Sequence, residues 1–221
     1  MIRQLHGYNS NMKVISDSNS HEWILAHRGY WKSKSEMNTA EAIAKAFHMG
    51  FGVETDFREY QGSLVLSHDI IQEQELITFN GFNSSDRYAI NLKSDGLLNL
   101  FLPLVDSIRM SGSFVFDGSI PEMVRYRDAG IPHALRLSEY ETELPWKSEY
   151  VWVDAFETDW WISHESLKDL FSSHHLVFVS PELHGRDQRF AFEAFVDFAG
   201  NDISGQGQRD LALQLFKGFD G

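Results

Sequence analysis

Short apolar runs rich in β-branched and aromatic residues alternate with helix-type segments along most of this sequence. Strands that are separated by helices connect through right-handed crossovers and therefore form a parallel sheet, which limits the chain to the α/β class. The predicted strands are 23–27, 52–57, 88–93, 113–117, 133–137, 150–155 and 176–180. The predicted helices are 39–49, 97–110, 121–129, 165–171 and 189–198.

A weak eighth strand is predicted near 202–205, and eight parallel strands favour a compact TIM-type (β/α)8 barrel. We predict a single barrel domain over 21–221, preceded by a polar extension over 1–20. An open doubly wound sheet is the competing architecture. No G-x-G-x-x-G motif follows the first strand, and polar residues close many different strands, so the barrel is favoured.

Composition excludes several classes of partner and site. The chain has 221 residues and a formal charge of −13, which argues against a nucleic-acid partner because phosphate binding needs a basic face. It has no cysteine, so disulfides, zinc–thiolate sites and cysteine nucleophiles are excluded. The N-terminus shows no signal peptide and no run of apolar residues is long enough to span a membrane, so a cytoplasmic protein without an integral membrane segment is expected.

Polar residues close the predicted strands at the ends where barrel enzymes build their active sites. A single polar residue at a strand end usually marks only the start of a loop, but seven successive strands with one indicate a functional site. In chain order these residues are His27, Arg28, Glu54, Asp56, Asn91, Lys93, Asp117, Arg136, Asp154 and Glu182.

Glu54 and Asp56 lie two positions apart on one predicted strand and therefore share a face. Two carboxylates that face a barrel interior would repel each other and would be costly to remove from water. A divalent cation resolves both problems, and oxygen ligands without cysteine favour Mg²⁺ or Ca²⁺. The alternative is that one or both carboxylates pair with Lys93 or Arg28.

A histidine follows this strand after a short return arm. The turn at Gln61–Gly62 lets the chain fold back over the two carboxylates, and the arm ends at His68. His27 comes from the end of the neighbouring first strand. Histidine has an unperturbed pKa near neutrality, so two histidines beside a metal-bound group suit acid–base catalysis.

This ordered set of residues resembles the opening of the glycerophosphodiester phosphodiesterases, within the wider phosphatidylinositol-phospholipase-C-like phosphodiesterase superfamily. That family has H-R-G, then P-E-N-T, a helix, an E-x-D strand, a D-G turn and an H-D pair. Here they read His27-Arg28-Gly29, Glu36-Met37-Asn38-Thr39, Glu54 and Asp56, Gln61-Gly62, and His68-Asp69. The resemblance implies a TIM barrel, a divalent metal held by Glu54 and Asp56, and paired acid–base roles for His27 and His68.

The sequence also departs from the family pattern. The family has a third acidic ligand two residues before a lysine on the third strand, where this chain has Asn91 before Lys93. An amide oxygen can coordinate a hard cation but contributes no charge, and Asp117 could supply the missing carboxylate. Met37 replaces the acid of P-E-N-T. Later segments resemble a bacterial subgroup that is associated with polysaccharide-biosynthesis clusters.

Together these features predict a metal-dependent hydrolase of a small glycerophosphodiester-like or sugar or polyol phosphodiester, with Arg28 and Lys93 offsetting negative charge. The predicted leaving-group pocket comprises Arg136, Asp154, Glu182 and the pair Trp160 and Trp161, for which core packing is the alternative. One alternative function is a catalytically weak relative that binds a phosphorylated glycan or polyol. The other is a metal-dependent sugar isomerase or aldolase, which leaves the ordered motif pattern unexplained.

Overall fold

The structure of the chain is a computed structural model that describes residues 24–71, 77–79, 81–83, 85–163, 167, 170, 173–187, 191, 194 and 213–216. The predicted extension 1–20 and the predicted eighth strand at 202–205 lie outside these residues, as do most of the predicted helices 165–171 and 189–198. The division of the chain into an extension and one domain stays a prediction.

Ten strands and four α-helices lie wholly within the described part of the chain, and Leu167, Leu170, Ala191 and Ala194 are also helical. The strands are β1 Ile24–His27, β2 Gly52–Tyr60, β3 Ser63–Leu66, β4 Ile77–Thr78, β5 Tyr88–Leu92, β6 Phe114–Phe116, β7 Ala134–Leu137, β8 Tyr150–Val153, β9 His175–Val179 and β10 Leu213–Phe216. The α-helices are α1 Ala40–His48, α2 Leu98–Phe101, α3 Val105–Met110 and α4 Ile120–Asp128. Short 3₁₀ helices occupy Lys34–Glu36, Leu102–Leu104, Trp160–Ser163 and Pro181–His184.

Eight of the strands are parallel and follow one another in a ring-like order. β1 pairs with β2 on one side and with β10 on the other; β2 continues to β5 and β6, and β10 continues to β9, β8 and β7. Between β6 and β7 the described residues form one parallel bridge, Val115 to His133, instead of a full ladder. The arrangement is a mixed α/β fold consistent with a TIM-type barrel. β10 occupies the position expected of the eighth strand.

The return arm predicted after the second strand is present as an antiparallel hairpin. β3 pairs with the end of β2, and β4, which the sequence did not predict, extends this small antiparallel unit. The turn between β2 and β3 includes Gln61 at a φ of 49° and Gly62 at 80°. The hairpin therefore carries the chain back from the end of β2, so that the residue before His68 bonds to the main chain of Asp56.

Large side chains fill the space on the inner face of the strands. Phe114 of β6 stacks on Tyr150 of β8 with ring centroids 4.2 Å apart, and Phe116 stacks on Trp152 at 4.0 Å. The intervening strand β7 has the small residue Ala134 in the same buried cluster. The backbone ladder is interrupted between β6 and β7. The stacked rings hold β6 and β8 together across this interruption, because their contact removes apolar area from water.

Helix boundaries follow local chemistry. Thr39 caps α1 by accepting a hydrogen bond from the Ala42 N–H at 3.1 Å, and Ser119 caps α4 in the same way. The single helix predicted over 97–110 is instead divided into α2, a 3₁₀ turn and α3. Pro103 lies in that turn, and proline both lacks an N–H and clashes with the preceding helical turn.

None of the helices in the described ranges is long and apolar enough to cross a membrane. The predicted cytoplasmic location stays a prediction.

Candidate active site

The carboxyl ends of β1 and β5 and the part of β2 that pairs with them bring the main group of predicted site residues together. In the parallel register His27 lies opposite Glu54, and Asp56 lies opposite Asn91. Because side chains two apart on a strand share a face, Glu54 and Asp56 point to the same side as these neighbours. Leu25 of β1 and Ala89 of β5 precede His27 and Asn91 by two positions and belong to the buried cluster that contains the stacked aromatic rings, so the polar group lies next to that cluster in the interior.

Asp56 is fully buried and is surrounded by positive and hydrogen-bonding groups. Its Oδ2 lies 2.9 Å from Arg28 Nε and accepts a hydrogen bond from Asn38 Nδ2 at 2.8 Å, and its Oδ1 lies 3.2 Å from Lys93 Nζ. Asn38 Oδ1 in turn accepts from the Thr55 hydroxyl at 2.7 Å. For Asp56, the structure therefore shows the ion pairing with Arg28 and Lys93 that was the alternative to a metal.

The main chain is bent sharply to bring Arg28 and Asn38 to this carboxylate. Both residues have a φ of 58°, in the left-handed region that few residues other than glycine adopt. The Asn38 N–H donates to the Arg28 carbonyl at 3.0 Å, which ties the two bends to each other. Two unfavourable backbone conformations at one site indicate that the placement of these side chains is maintained by the surrounding structure.

Glu54 is buried next to His27 and Asn91. Its Oε2 lies 3.8 Å from His27 Nε2, and its Oε1 accepts a hydrogen bond from Asn91 Nδ2 at 3.1 Å. Burial, and after it the negative charge of Asp56, raises the pKa of Glu54 well above its usual range. Burial, and after it the positive charge of Arg28, lowers the pKa of His27 to about 3, so this imidazole is neutral near pH 7.

The donor set fits a hard cation in part. Within the described residues no group of three or more His, Cys, Asp or Glu side chains could hold a metal ion. However, two buried side-chain oxygens, Glu54 Oε2 and Asn91 Oδ1, have no hydrogen-bond partner, and Asp56 Oδ1 has only its ion pair with Lys93. Buried oxygens without partners are energetically costly, and together they are the ligand type that Mg²⁺ and Ca²⁺ prefer. The predicted set of Glu54, Asp56 and Asn91 therefore fits the proposed ion with one amide in place of a carboxylate.

His68 lies on the loop that follows β3. The Ser67 N–H donates to the Asp56 carbonyl at 3.0 Å, which attaches this loop to β2. His68 Nδ1 lies 2.8 Å from Asp69 Oδ1, and the His68 side chain is 45% exposed. A carboxylate can only accept, so Nδ1 is the donor.

A second polar group lies at the ends of β6, β7 and β8. Arg136 forms an ion pair with Asp117, and its Nε lies 3.7 Å from Glu141 Oε2 and 3.8 Å from Asp154 Oδ2. Asp154 Oδ1 lies 2.7 Å from His184 Nε2. Asp117, predicted as a possible metal ligand, is thus brought to Arg136. The described contacts do not bring it to Glu54 or Asp56.

The remaining predicted residues of the leaving-group pocket adjoin this second group. Trp160 Nε1 donates to the Asp154 carbonyl at 2.7 Å, whereas Trp161 is buried in a hydrophobic cluster with Phe178, so core packing describes Trp161. Glu182 is half-buried in the 3₁₀ helix Pro181–His184, and it is His184 from that helix whose side chain reaches Asp154.

Several residues that contact these groups were not selected from the sequence. They include Asn38, Glu141 and His184, together with Arg58, which donates to the main-chain carbonyls of His68 and Lys93. Asn38 belongs to the E-M-N-T motif, and its position in a family signature could have indicated that it lies in the site. Arg58 shares the strand face of Asp56 by the period of two, so the spacing could have indicated it. His184 follows Glu182 in a turn, and no spacing rule links it to Asp154.

Comparison with known proteins finds no match to any protein-family model and none to a curated protein. Among solved structures, the fold is similar to a crystal structure of glycerophosphodiester phosphodiesterase from Agrobacterium tumefaciens. The TM-score is 0.53 and the identity 14%, and the match covers 87% of this chain and 95% of that one. The chain therefore shares its fold with a glycerophosphodiester phosphodiesterase.

Proposed function

We propose that this protein is a metal-dependent phosphodiester hydrolase. The observation that carries the proposal is the group at the ends of β1 and β5 and on the part of β2 between them. There, unpartnered buried oxygens of Glu54 and Asn91 lie beside the cationic groups of Arg28 and Lys93 and the neutral imidazole of His27. Phosphodiester hydrolysis needs this combination of an oxygen-rich cation site, fixed positive charge and proton-transfer groups.

The roles of the charged groups follow from their positions. Glu54, Asp56 and Asn91 would hold the divalent cation, and when bound it would polarise a non-bridging phosphoryl oxygen. Arg28 and Lys93 flank Asp56 at 2.9 and 3.2 Å, so their charges are fixed at the site before substrate arrives. Groups that need no reorganisation stabilise the negative charge that develops on the phosphoryl oxygens.

His27 and His68 would move the protons. His27 is neutral near pH 7 and its Nδ1 has no hydrogen-bond partner, so a ring nitrogen is free to accept or deliver a proton. His68 donates from Nδ1 to Asp69, which leaves Nε2 for the substrate. One histidine would take the proton of the attacking hydroxyl, and the other would protonate the leaving alcohol.

The second polar group supports a hydroxyl-bearing leaving alcohol, such as glycerol or a sugar. In this group Arg136 lies close to three carboxylates, those of Asp117, Glu141 and Asp154. Acceptor oxygens and negative charge therefore predominate. Carboxylates accept hydrogen bonds from hydroxyl groups, and like charge disfavours a second anion. We therefore propose a glycerophosphodiester-like or sugar or polyol phosphodiester as substrate.

Asn91 supports a second candidate function, a catalytically weak protein that binds a phosphorylated glycan or polyol. Its amide donates to Glu54 at 3.1 Å instead of adding a third negative charge to the cation site. Titration with Mg²⁺ and Ca²⁺ separates the two candidates, because a binder retains affinity for glycerol phosphate without metal-dependent turnover.

The experiment is a phosphodiesterase screen with Mg²⁺, Ca²⁺ and EDTA. The substrates are bis(p-nitrophenyl) phosphate, glycerophosphoglycerol and glycerophosphoserine, of which the last carries an extra carboxylate. We expect metal-dependent turnover that favours glycerophosphoglycerol over glycerophosphoserine. The variants H27A and H68A should each lose about 100-fold or more in kcat, the usual contribution of a proton-transfer group.

Matched variants serve as controls for the screen. Glu41 and His48 are exposed on α1, so E41A and H48A should retain wild-type turnover while E54A loses it. Absence of turnover with every metal and substrate would refute the hydrolase. Turnover that survives in E54A would refute the proposed cation site.

A further inference from the structure

Arg58 joins two segments of the candidate active site. Within the described residues its hydrogen bonds are to main-chain carbonyls and not to the carboxylates of Glu54 or Asp56. It follows Asp56 by two positions on β2 and so lies on the same strand face. Its Nη2 and Nε donate to the His68 carbonyl at 2.8 and 3.3 Å, and its Nη1 donates to the Lys93 carbonyl at 2.8 Å. One side chain thus holds the main chain of a predicted proton-transfer residue and that of a predicted charge-stabilising residue.

These bonds are placed where the backbone ladders end. On one side β3 stops at Leu66, and on the other β5 stops at Leu92. The last backbone bonds to β2 are made by the N–H of Ser67 and of Lys93. Beyond them, the carbonyls of His68 and Lys93 are held by the Arg58 guanidinium in place of a further rung of the sheet.

We propose that Arg58 is a positioning residue that sets the separation between His68 and Lys93. The inference rests on the proposed function, because it assigns those two residues to the same phosphodiester. Arg58 lies between the two segments and bonds to both, so a movement of the His68 loop relative to β5 would break at least one of its hydrogen bonds. His68 is nearly half exposed, and its imidazole bonds to the exposed Asp69, so the clamp on its main chain is an important constraint on its place.

Arginine is suited to this role and lysine is not. The guanidinium is planar with five N–H donors in a fixed fork, so it can bond to carbonyls on both sides at once. A lysine ammonium retains the charge but is a compact group on a flexible chain. R58K therefore removes the clamp while it preserves the local charge, which separates positioning from electrostatics.

The test measures kinetics and local opening on the same R58K and R58Q proteins. With bis(p-nitrophenyl) phosphate and Mg²⁺ we expect kcat to fall about 100-fold, because displacement of a reacting group by about 1 Å costs that much. We expect KM to change far less, as for an interaction needed only in the transition state. Amide hydrogen exchange should become faster in 67–71 and near Lys93, with the rest of the sheet unchanged.

R109K is the matched control. Arg109 of α3 also donates to a main-chain carbonyl, that of Gly130, in the loop before β7 and away from the strand ends that carry the site. R109K should lower the thermal midpoint about as much as R58K and leave kcat unchanged. If R58K lowers the midpoint and retains wild-type kcat, Arg58 only stabilises the hairpin and the proposal is overturned.

Hydrogen exchange distinguishes failure of this inference from failure of the proposed function. If the wild type is inactive and R58K still opens 67–71, the clamp exists but the hydrolase does not. If exchange in 67–71 is unchanged in R58K and R58Q, Arg58 does not hold the loop, whatever the activity of the wild type.

Discussion

Gly29 of the H-R-G segment offers a sharp test of how the His27–Arg28 turn is packed. Gly29 has a φ of +90° and lies against α1. A Cβ added there would lie 2.7 Å from the main-chain carbon of Ala42, 2.9 Å from Ala42 Cβ and 2.9 Å from the Ile43 nitrogen. Two of these three atoms are backbone, so relief requires that the helix move away from the turn.

The expected destabilisation has two parts. An alanine in the left-handed region costs about 1–2 kcal/mol relative to glycine. Overpacking against a fixed helix adds about 1–3 kcal/mol, so G29A should lose about 2–5 kcal/mol of unfolding free energy. Gly62 has a similar φ of +80° but no atom within 4 Å of an added Cβ, so G62A should incur only the first cost.

The assay is equilibrium unfolding in urea for the wild type, G29A and G62A. Both substitutions reduce the freedom of the unfolded chain to a similar extent, so that effect cancels when the variants are compared. We expect G29A to be less stable than G62A by about 1–3 kcal/mol, with similar m-values. Equal stability of G29A and G62A would refute the packing of the turn against α1.

Two further predictions concern the candidate cation site and the opposite end of the sheet. N91D places a third carboxylate beside Glu54 and Asp56, so the cation-free variant should unfold at a lower temperature than the wild type. Mg²⁺ should raise the unfolding midpoint of N91D more than that of the wild type. An equal Mg²⁺ effect in both proteins would contradict a cation site at these residues. Burial lowers the pKa of His133 below 6.5, and Trp146 Nε1 donates to its Nε2 at 2.9 Å. As the pH falls, His133 therefore takes up a proton in the unfolded chain before it does so in the folded chain. The stability that neutral His133 contributes above about pH 6.5 is lost as the pH falls. In urea unfolding, H133Q should show a weaker loss between about pH 7.5 and 5 than the wild type, and parallel curves would contradict this.

The succession of strands along the chain could be predicted because each strand is an apolar run that is too short for a typical helix. Each of the seven predicted strands overlaps an observed one. The polar residues that follow them mark the edge of the sheet at which the parallel strands end. The strand beside β1 was predicted too early in the chain, yet Leu213–Phe216 reads LQLF and has the required alternation. Lys217 follows this run directly, so the same pattern of an apolar run closed by a polar residue could have indicated it.

Pairing of side chains was harder to predict than their location. Glu54, Asp56, Asn91 and Lys93 were placed together because register on neighbouring strands follows from parallel pairing. The partner of Asp117 was not predicted, because Arg136 reaches it from another strand through a long flexible side chain. His184 was missed for a similar reason, since a loop residue meets Asp154 only after the whole sheet has formed.

Asn91 determines the balance of charge at the candidate active site. The carboxylates of Glu54 and Asp56 are matched by Arg28 and Lys93, so the four formal charges cancel. The raised pKa of Glu54 favours its protonated form in the cation-free protein. In the hydrolase proposed above, Arg28 and Lys93 would attract a phosphodiester anion even without a metal. A third carboxylate in place of Asn91 would strengthen cation binding and weaken this direct attraction. If the proposed function holds, the amide would favour binding of the substrate anion over binding of the cation, so metal titration is needed to separate hydrolysis from simple binding.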